Sequence, residues 1–177
     1  MSDTEAVIHR QKDLYWKELV QLKVRCEYMR RYRNLLGQWV TRIAVLRAVA
    51  SSGGIAGWVV WRELAFAWAA IIAAAQLADA VKDVFPVTAQ HQAAIELTMK
   101  LEALLIEALF EWESVFAGKF TDGEITERRR KLMERQHEAD LKHFPRGDLA
   151  QRKNLLALAE HDAEAYFLAM FGAASKP

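Results

Sequence analysis

Two apolar segments lie back to back near the middle of the chain. The first begins at Ile43 and the second ends at Val81, and only residues 61–63 separate them. Each segment approaches the length of about 20 apolar residues that a helix needs to cross a bilayer core of about 30 Å. The pattern predicts a transmembrane helical hairpin over residues 38–85.

Apolar residues also recur at alternating four- and three-residue steps on both sides of this hairpin. In residues 1–37 they are Tyr15, Leu19, Leu22, Cys26, Met29 and Leu36. In residues 86–117 they are Leu97, Leu101, Leu104, Ala108, Trp112 and Val115. Such a repeat is typical of a helix that buries one stripe against a partner helix. We predict two stalk helices whose seams pair antiparallel or join separate copies of the chain, with Gly37 as a bend rather than a stop.

Residues 118–177 predict two further helices. Thr121 and Glu124 have the spacing of a capping box, so a helix is expected to begin there. Asp148 is predicted to cap a last helix, which should end before Gly172. Its apolar stripe is expected to contain Leu149, Leu156, Ala163, Phe167 and Met170.

Polar residues inside the apolar segments fall at one end of the predicted hairpin. Arg47 lies near the start of the first segment, while Gln76 and Asp79 lie near the end of the second. In a hairpin these positions share one membrane interface, where a charge can reach water or a partner. We therefore predict an interhelix ion pair between Arg47 and Asp79.

Small residues form a second candidate packing surface, in the middle of the first segment. They are Ser51, Ser52, Gly53 and Gly57. Gly53 and Gly57 make a G-x-x-x-G step, which allows helix backbones to approach closely in lipid. With Arg47, Gln76 and Asp79, these residues are the predicted pore-lining or helix-packing positions.

Aromatic and basic residues are distributed unevenly around the hairpin. The tryptophans near its tip are Trp58, Trp61 and Trp68, and the arginines before its first segment are Arg30, Arg31, Arg33 and Arg42. Tryptophan concentrates at membrane interfaces, and basic residues remain on the cytoplasmic side. We predict that these residues lie at lipid interfaces and that both termini are cytoplasmic. The predicted fold is all-α, with a two-helix transmembrane hairpin flanked by long helices that form a cytoplasmic helical bundle.

Composition and motifs argue against catalysis and nucleic-acid binding. The 177 residues carry a net charge of +1, which gives no bulk attraction to nucleic acid. The single cysteine, Cys26, excludes an internal disulfide and suits a reducing compartment. The sequence has no phosphate-binding glycine loop, nucleophile elbow or paired-cysteine motif. We expect no enzymatic activity, no cofactor and no bound metal.

Two histidines are candidates for metal binding or catalysis. His137 and His143 are six residues apart and so lie on different helix faces, whereas the helical zinc motif needs a spacing of about four. Arg130 and His137 loosely match the Arg-to-His spacing of helical HEPN-type ribonucleases, although Lys131 departs from the usual polar residue there. The alternative is that Glu127, Lys131, Glu134 and Arg135 form surface ion pairs along one helix.

The order of elements resembles the SLATT group of bacterial two-transmembrane effectors. The resemblance covers residues 1–117 and rests on the Tyr15-Trp16 region, the cluster at residues 30–33 and the small-residue segment at 51–57. The small membrane accessory protein of type VI-B CRISPR systems is similar in size and plan.

This resemblance implies a homo-oligomeric effector that forms a pore or disrupts the bacterial inner membrane in anti-phage defence. Its partners would be membrane lipid, further copies of itself and an upstream sensor protein. The alternatives are a soluble all-helical interaction or scaffold protein, whose hairpin is a protein core, and a HEPN-like ribonuclease.

Overall fold

A computed structural model describes residues 3–60, 65–81, 86–145, 149 and 151–172. The described residues form five α-helices: α1 (Asp3–Val60), α2 (Ala65–Val81), α3 (Val87–Phe116), α4 (Asp122–His143) and α5 (Lys153–Phe171). The all-α class predicted from the sequence is confirmed. The chain divides into two compact units, which we call the bundle unit (Met1–Tyr32 with Ala93–Pro177) and the hairpin unit (Arg33–Gln92).

The bundle unit is built around the pairing of α1 with α3. All the predicted seam residues of both helices are buried except Trp112, which is half-buried. The Lys12 ammonium donates to the Phe116 carbonyl at 3.2 Å, and Arg30 donates to Glu102 at 2.6 Å, so the two helices run antiparallel. The predicted antiparallel pairing of the two seams is therefore confirmed within one chain.

Helix α4 begins at the predicted capping box. The Thr121 side chain accepts from the Glu124 backbone, and the Glu124 carboxylate accepts from the Thr121 backbone at 2.8 Å. Gly118 adopts a φ of 71° in the preceding turn, a conformation that favours glycine. Ile125 and Leu132 then carry the buried face of α4 into the bundle.

Helix α5 begins later than the sequence predicts. Its first residue is Lys153, after an N-cap at Arg152 that makes no side-chain capping bond, and Leu149 lies outside the helix. Asp148, the predicted cap, lies outside the described residues. The predicted end at Gly172 is confirmed, with a φ of 70°.

The apolar stripe of α5 is confirmed only in part. Ala163 and Phe167 are buried as predicted, and Leu156 is half-buried, but Met170 is exposed. The last turn of α5 contacts α1 through Phe171, whose ring meets the Trp16 ring edge-on at 5.4 Å. Met170 therefore points to solvent although its spacing matches the stripe.

The hairpin unit contains the second half of α1, all of α2 and the first residues of α3. Helix α1 continues through Gly37 without interruption. A Cβ added at Gly37 would lie 3.1 Å from the His91 Nε2 atom, so the missing side chain allows α1 and the start of α3 to approach closely. Thr41 hydroxyl donates to the Gly37 carbonyl at 3.0 Å in the next turn.

Within the described part of the chain we find no candidate membrane-spanning helix, since none combines the required length with sufficient apolar character. The transmembrane nature of the hairpin therefore stays a prediction.

Candidate functional site

Helix α2 leaves most of its apolar surface uncovered. Its 17 residues include only two strongly polar ones, Gln76 and Asp79. The exposed apolar residues are Phe66, Ala67, Ala69, Ala70, Ala73, Ala74, Leu77 and Ala80. Phe66 is 88% exposed and Leu77 is 65% exposed. Because burial of apolar area is worth about 25 cal/mol per Å², an uncovered surface of this kind marks a site for a partner or a membrane.

A second group of exposed apolar residues in the hairpin unit lies on α1. Trp39, Val45 and Val49 are all exposed. The Arg42 guanidinium lies 5.5 Å from the centre of the Trp39 ring. Sequence reasoning singled out Arg42 but missed Trp39, although their i,i+3 spacing on a helix was a signal for this contact. We take the exposed apolar residues of α2, with Trp39, Val45 and Val49, as the candidate functional surface.

The predicted packing residues of the hairpin are only partly described. Arg47 and Gln76 are exposed on α1 and α2. The Asp79 side chain lies outside the described part of the structure, so the ion pair with Arg47 stays a prediction. The small residues of the first segment belong to α1, but their side-chain surroundings also lie outside the described part of the structure. These residues are Ser51, Ser52, Gly53 and Gly57.

The predicted interface residues divide between the two units. Trp61 lies outside the described residues. Trp58 belongs to α1 and Trp68 to α2, but the side chains of these two residues lie outside the described part of the structure. Arg33 is half-buried and Arg42 is exposed, and both belong to the hairpin unit. The remaining two arginines belong to the bundle unit.

Arg30 takes part in a buried charge cluster between α1 and α3. The Lys23 ammonium lies 2.6 Å from the Glu27 carboxylate, and both side chains are buried. Arg30 bonds the same carboxylate at 3.1 Å and Glu102 at 2.6 Å. The hydrogen bond to Glu102 raises the pKa of Arg30. The Lys23 ammonium also lies 3.9 Å from the centre of the Tyr166 ring, which extends the cluster to α5.

Arg31 holds α5 against α1. Its guanidinium is paired with Asp162, and the Arg152 backbone N–H donates to the Tyr28 hydroxyl at 3.2 Å. The lipid-interface assignment of Arg30 and Arg31 stays a prediction, but the ion pairs give both residues a structural role in the bundle unit. Sequence reasoning missed that role because the carboxylates lie 72 and 131 residues away along the chain.

A further ion pair joins α1 to α4. Arg25 lies 2.5 Å from Asp140. Burial raises the pKa of Asp140, and the charge of Arg25 opposes that shift. Deeper in the bundle, Tyr15 hydroxyl donates to the Glu111 carboxylate at 2.9 Å, and burial raises the pKa of Tyr15. These polar contacts position helices and give no reactive group.

Cys26 is inert in this environment. Its side chain is buried between α1 and α3, and burial raises the pKa of the thiol to about 12. Because the thiolate is the nucleophile, a thiol with this pKa is almost fully protonated at neutral pH. Cys26 therefore serves the packing of the seam.

A groove of about 520 Å³ lies between α3 and α4, and its walls carry many glutamates. Their charges are largely compensated across the groove. Glu111 lies 2.7 Å from Arg128, and Glu107 lies 2.5 Å from Arg135. The Arg128 guanidinium also stacks 3.9 Å from the centre of the Phe120 ring. The groove is thus a helix–helix contact with ion pairs along its rim.

Arg130 and His137 both lie on exposed positions of α4. Arg130 is exposed and forms ion pairs with Glu127, at 2.7 Å, and with Glu134. The hydrogen bond with Glu127 raises the pKa of Arg130 further. Lys131 pairs with Glu127 as well, at 3.6 Å, so surface ion pairing along α4 is confirmed for these residues. Arg135, which was expected to join them, pairs with Glu107 of α3 instead.

The described residues bring together no group of three side chains that could hold a metal ion. His137 is exposed on α4. His143 instead places its Nδ1 atom 3.5 Å from the Glu96 carboxylate on α3.

Comparison of the chain with known protein families, with curated proteins and with solved structures gave no match. The functional argument therefore rests on the residues and on the geometry described above.

Proposed function

We propose that the chain is a non-enzymatic, oligomeric effector that inserts its hairpin unit into the bacterial inner membrane and forms a pore or disrupts that membrane. The observation that carries this proposal is the uncovered apolar surface of α2. A SLATT-like role in anti-phage defence is part of the proposal, and it rests on the resemblance described above.

The apolar surface of α2 supports a lipid environment by its distribution around the helix. A soluble helix covers its apolar stripe against a core and exposes a polar face. In α2, eight apolar residues between Phe66 and Ala80 are exposed, Ile71 and Ile72 are half-buried, and Ala75 is the one described residue of the helix that is buried. Lipid tails would solvate the exposed apolar residues, whereas water would not.

The bundle unit supports a cytoplasmic role for the rest of the chain. Its helix α4 alternates acidic and basic residues on an exposed face, as a helix in water does. The seams of α1 and α3, which we expected to be available for joining protomers, are buried inside one chain. Association between copies would therefore use other surfaces.

Membrane fractionation tests the proposal directly. We expect the full chain to sediment with membranes and to remain there after a carbonate wash. The double variant Ala70→Lys with Ala74→Lys should move to the supernatant, because both exposed positions lie near the middle of the predicted span, where each charge costs about 2.5–3.5 kcal/mol. Leu141→Lys is the matched control, since Leu141 is also an exposed apolar residue but lies on α4, and it should leave the membrane fraction unchanged.

A monodisperse wild-type protein in the supernatant, prepared without detergent, would refute membrane insertion. It would favour the alternative of an all-helical interaction protein, whose hairpin surface binds another protein.

Oligomer formation has its own test. Gly53→Leu with Gly57→Leu should block close helix packing in the hairpin and abolish both the oligomer in detergent and the loss of membrane potential on expression. Gly123→Leu on α4 is the matched control, because a Cβ at that position would meet nothing within 4 Å. Unchanged oligomers together with unchanged toxicity would contradict the proposed assembly.

A further inference from the structure

Helix α3 carries a second apolar stripe on the side away from its buried seam. The stripe consists of Met99, Ala103, Ile106 and Phe110, at four-, three- and four-residue steps. Met99 is 63% exposed, Ile106 is 57% exposed and Phe110 is 68% exposed. With 3.6 residues per turn, this stripe lies about 180° around the helix from the seam. We call it the outer stripe, and it belongs entirely to the bundle unit.

The outer stripe has the spacing of a helix–helix seam. Isolated exposed apolar residues are normal on protein surfaces, but large ones at successive a and d positions are the pattern by which helices pair. The exposed Leu158 and Leu168 on α5 share one side as well, but His161 lies between them. The outer stripe is therefore the better candidate for a contact with another helix.

We propose that the outer stripe of α3 pairs with the same stripe of a second copy of the chain, antiparallel, about a twofold axis between Ala103 and Ile106. This inference deepens the proposed function and rests on it, because it names a contact through which the oligomer assembles.

Side-chain size favours the antiparallel arrangement. The twofold axis sets Met99 against the partner's Phe110 and Ala103 against the partner's Ile106, so a smaller or more flexible side chain faces a larger one in every layer. A parallel pair would instead set Ala103 on the partner's Ala103 and Phe110 on the partner's Phe110. That would leave a void in one layer and crowd another, and both faults destabilise a helix interface.

Charge at the edge of the outer stripe supports the same partner. Lys100 and Glu107 flank the stripe on one side of α3, and both are exposed. Glu107 already pairs with Arg135 of α4 within the chain, but its side chain stays half exposed, so the carboxylate can accept a second donor. In an antiparallel pair related by a twofold axis, this edge of α3 faces the same edge of the partner's α3, which runs in the opposite direction. Lys100 then lies opposite the partner's Glu107, and Glu107 lies opposite the partner's Lys100. Two reciprocal pairs of opposite charge favour the register and disfavour a sliding of the helices.

One helix pair is a small interface. Stable protein interfaces bury about 1,200–2,000 Å², which a stripe of about three helical turns does not reach. The pair is therefore expected to be weak in dilute solution and to form when copies are concentrated on a shared surface. This is the behaviour expected of an effector that assembles at a threshold of local concentration.

Disulfide cross-linking in whole cells tests the pairing. Met99→Cys and Phe110→Cys are expressed together as full-length chains with different tags and then oxidised. We expect a heterodisulfide between them, because they face each other across the axis. Either variant alone should not cross-link, since equivalent residues would lie about 16 Å apart along the helices, beyond the Cα separation of about 4.4–6.8 Å that a disulfide allows.

The wild-type chain gives the baseline, since Cys26 is buried. A disulfide between two Met99→Cys chains, formed as readily as the heterodisulfide, would overturn the antiparallel arrangement. The absence of any cross-link would overturn the pairing itself.

Substitutions on the outer stripe test its chemistry. Ile106→Glu, in the two-cysteine mixture, should reduce the cross-link at least about tenfold, because it sets two carboxylates near the axis. Leu141→Glu, at an exposed apolar residue of α4, should leave it unchanged. Lys100→Glu should reduce the cross-link. Lys100→Glu with Glu107→Lys and Arg135→Glu should restore it, which general damage to the fold would not do, and the third change keeps opposite charges at residues 107 and 135.

The two proposals fail in different ways. Ile106→Glu should lose the cross-link while the chain remains in the membrane fraction. Ala70→Lys with Ala74→Lys should leave the membrane fraction, and any cross-link that persists at high expression supports the pairing without a membrane. A wild-type chain that cross-links in the supernatant would refute membrane insertion but support the pairing. A membrane-bound chain that never cross-links would refute the pairing but support membrane insertion.

Discussion

The bundle unit and the hairpin unit are built from the same kind of secondary structure but treat apolar side chains in opposite ways. In the bundle unit, the seams of α1 and α3 are buried against each other. In the hairpin unit, α2 is richer in apolar residues, yet most of its described apolar side chains are exposed. Helical form and hydrophobicity alone therefore do not tell whether a helix has found its partner. We propose that the molecule interacts through the surface that remains uncovered.

Polar residues sharpen the contrast. Lys23 and Glu27 are buried in the bundle unit, and their charges are matched by each other and by Arg30. A buried charge without a partner is costly, so such clusters fix which helices pack together and in which register. The bundle unit is thus specified by its interior, whereas the hairpin unit presents its apolar residues outward.

Thiol reactivity should give the largest difference between the units. Cys26 has a pKa of about 12, so at pH 8 its thiolate fraction is more than about 10³-fold below that of an ordinary cysteine. We expect native Cys26 to react with a small uncharged maleimide more than about 10³-fold more slowly than in denaturant. The maleimide reaction rate of a cysteine introduced by Leu77→Cys should differ less than about tenfold between the native and the denatured protein. Rapid native labelling of Cys26, followed by mass spectrometry, would mean that the bundle opens.

Removal of one charge from the buried cluster should destabilise the bundle unit strongly. Glu27→Ala leaves Lys23 buried without its carboxylate, and the expected loss is about 3–5 kcal/mol in the free energy of unfolding. Denaturant unfolding followed by circular dichroism measures it. The double variant Lys23→Met with Glu27→Leu should recover most of that loss, because no charge is then left unpaired. If Glu27→Ala unfolds like the wild type, the cluster has no structural role.

A pair of leucine truncations compares the units at matched chemistry. Leu101 is fully buried in the seam of α3, so Leu101→Ala should cost about 2–5 kcal/mol in the free energy of unfolding. Leu77→Ala on α2 should change it by less than about 0.5 kcal/mol, since its side chain is exposed. An equal loss in the free energy of unfolding for both truncations, measured in detergent, would contradict this difference between the units, because α2 would then be part of a core.

The capping box of α4 should give the smallest effect. Thr121→Ala removes the side-chain bond to the Glu124 backbone, and the expected loss is about 1 kcal/mol in the free energy of unfolding. Thr126→Ala is the control, because the Thr126 hydroxyl bonds the Asp122 carbonyl inside the first turn and caps nothing. Thr126→Ala should cost little, because alanine has the higher helix propensity. An equal loss for both would assign the effect to the loss of a side-chain hydrogen bond rather than to the cap.

Local and periodic features of this fold were predictable from the sequence. The seams of α1 and α3 follow from their heptad spacing, and the start of α4 follows from Thr121 and Glu124, because both signals lie within a few residues of the structure they specify. The end of α5 at Gly172 was predictable for the same reason. These features needed no knowledge of distant parts of the chain.

Long-range features were not predictable in the same way. The basic cluster at residues 30–33 looked like one lipid-facing patch, but Arg30 and Arg31 pair with Glu102 and Asp162 of other helices. Met170 matched the stripe of α5, yet the contact with Trp16 passes through Phe171 instead. For the candidate site, sequence reasoning found the apolar character of α2 but not that its surface stays exposed, since exposure depends on what every other element covers.

The contacts of α1 have a consequence for how the protein is made. Tyr15 reaches a carbonyl 93 residues further on, and Arg31 reaches a carboxylate 131 residues further on. A ribosome adds about 5–20 residues per second, so the seam of a new α1 waits several seconds before α3 emerges to cover it. During that interval the apolar segments that follow α1 are also synthesised. Early engagement of the nascent chain by a chaperone or by the membrane-insertion machinery would therefore protect α1 until its partners have been translated.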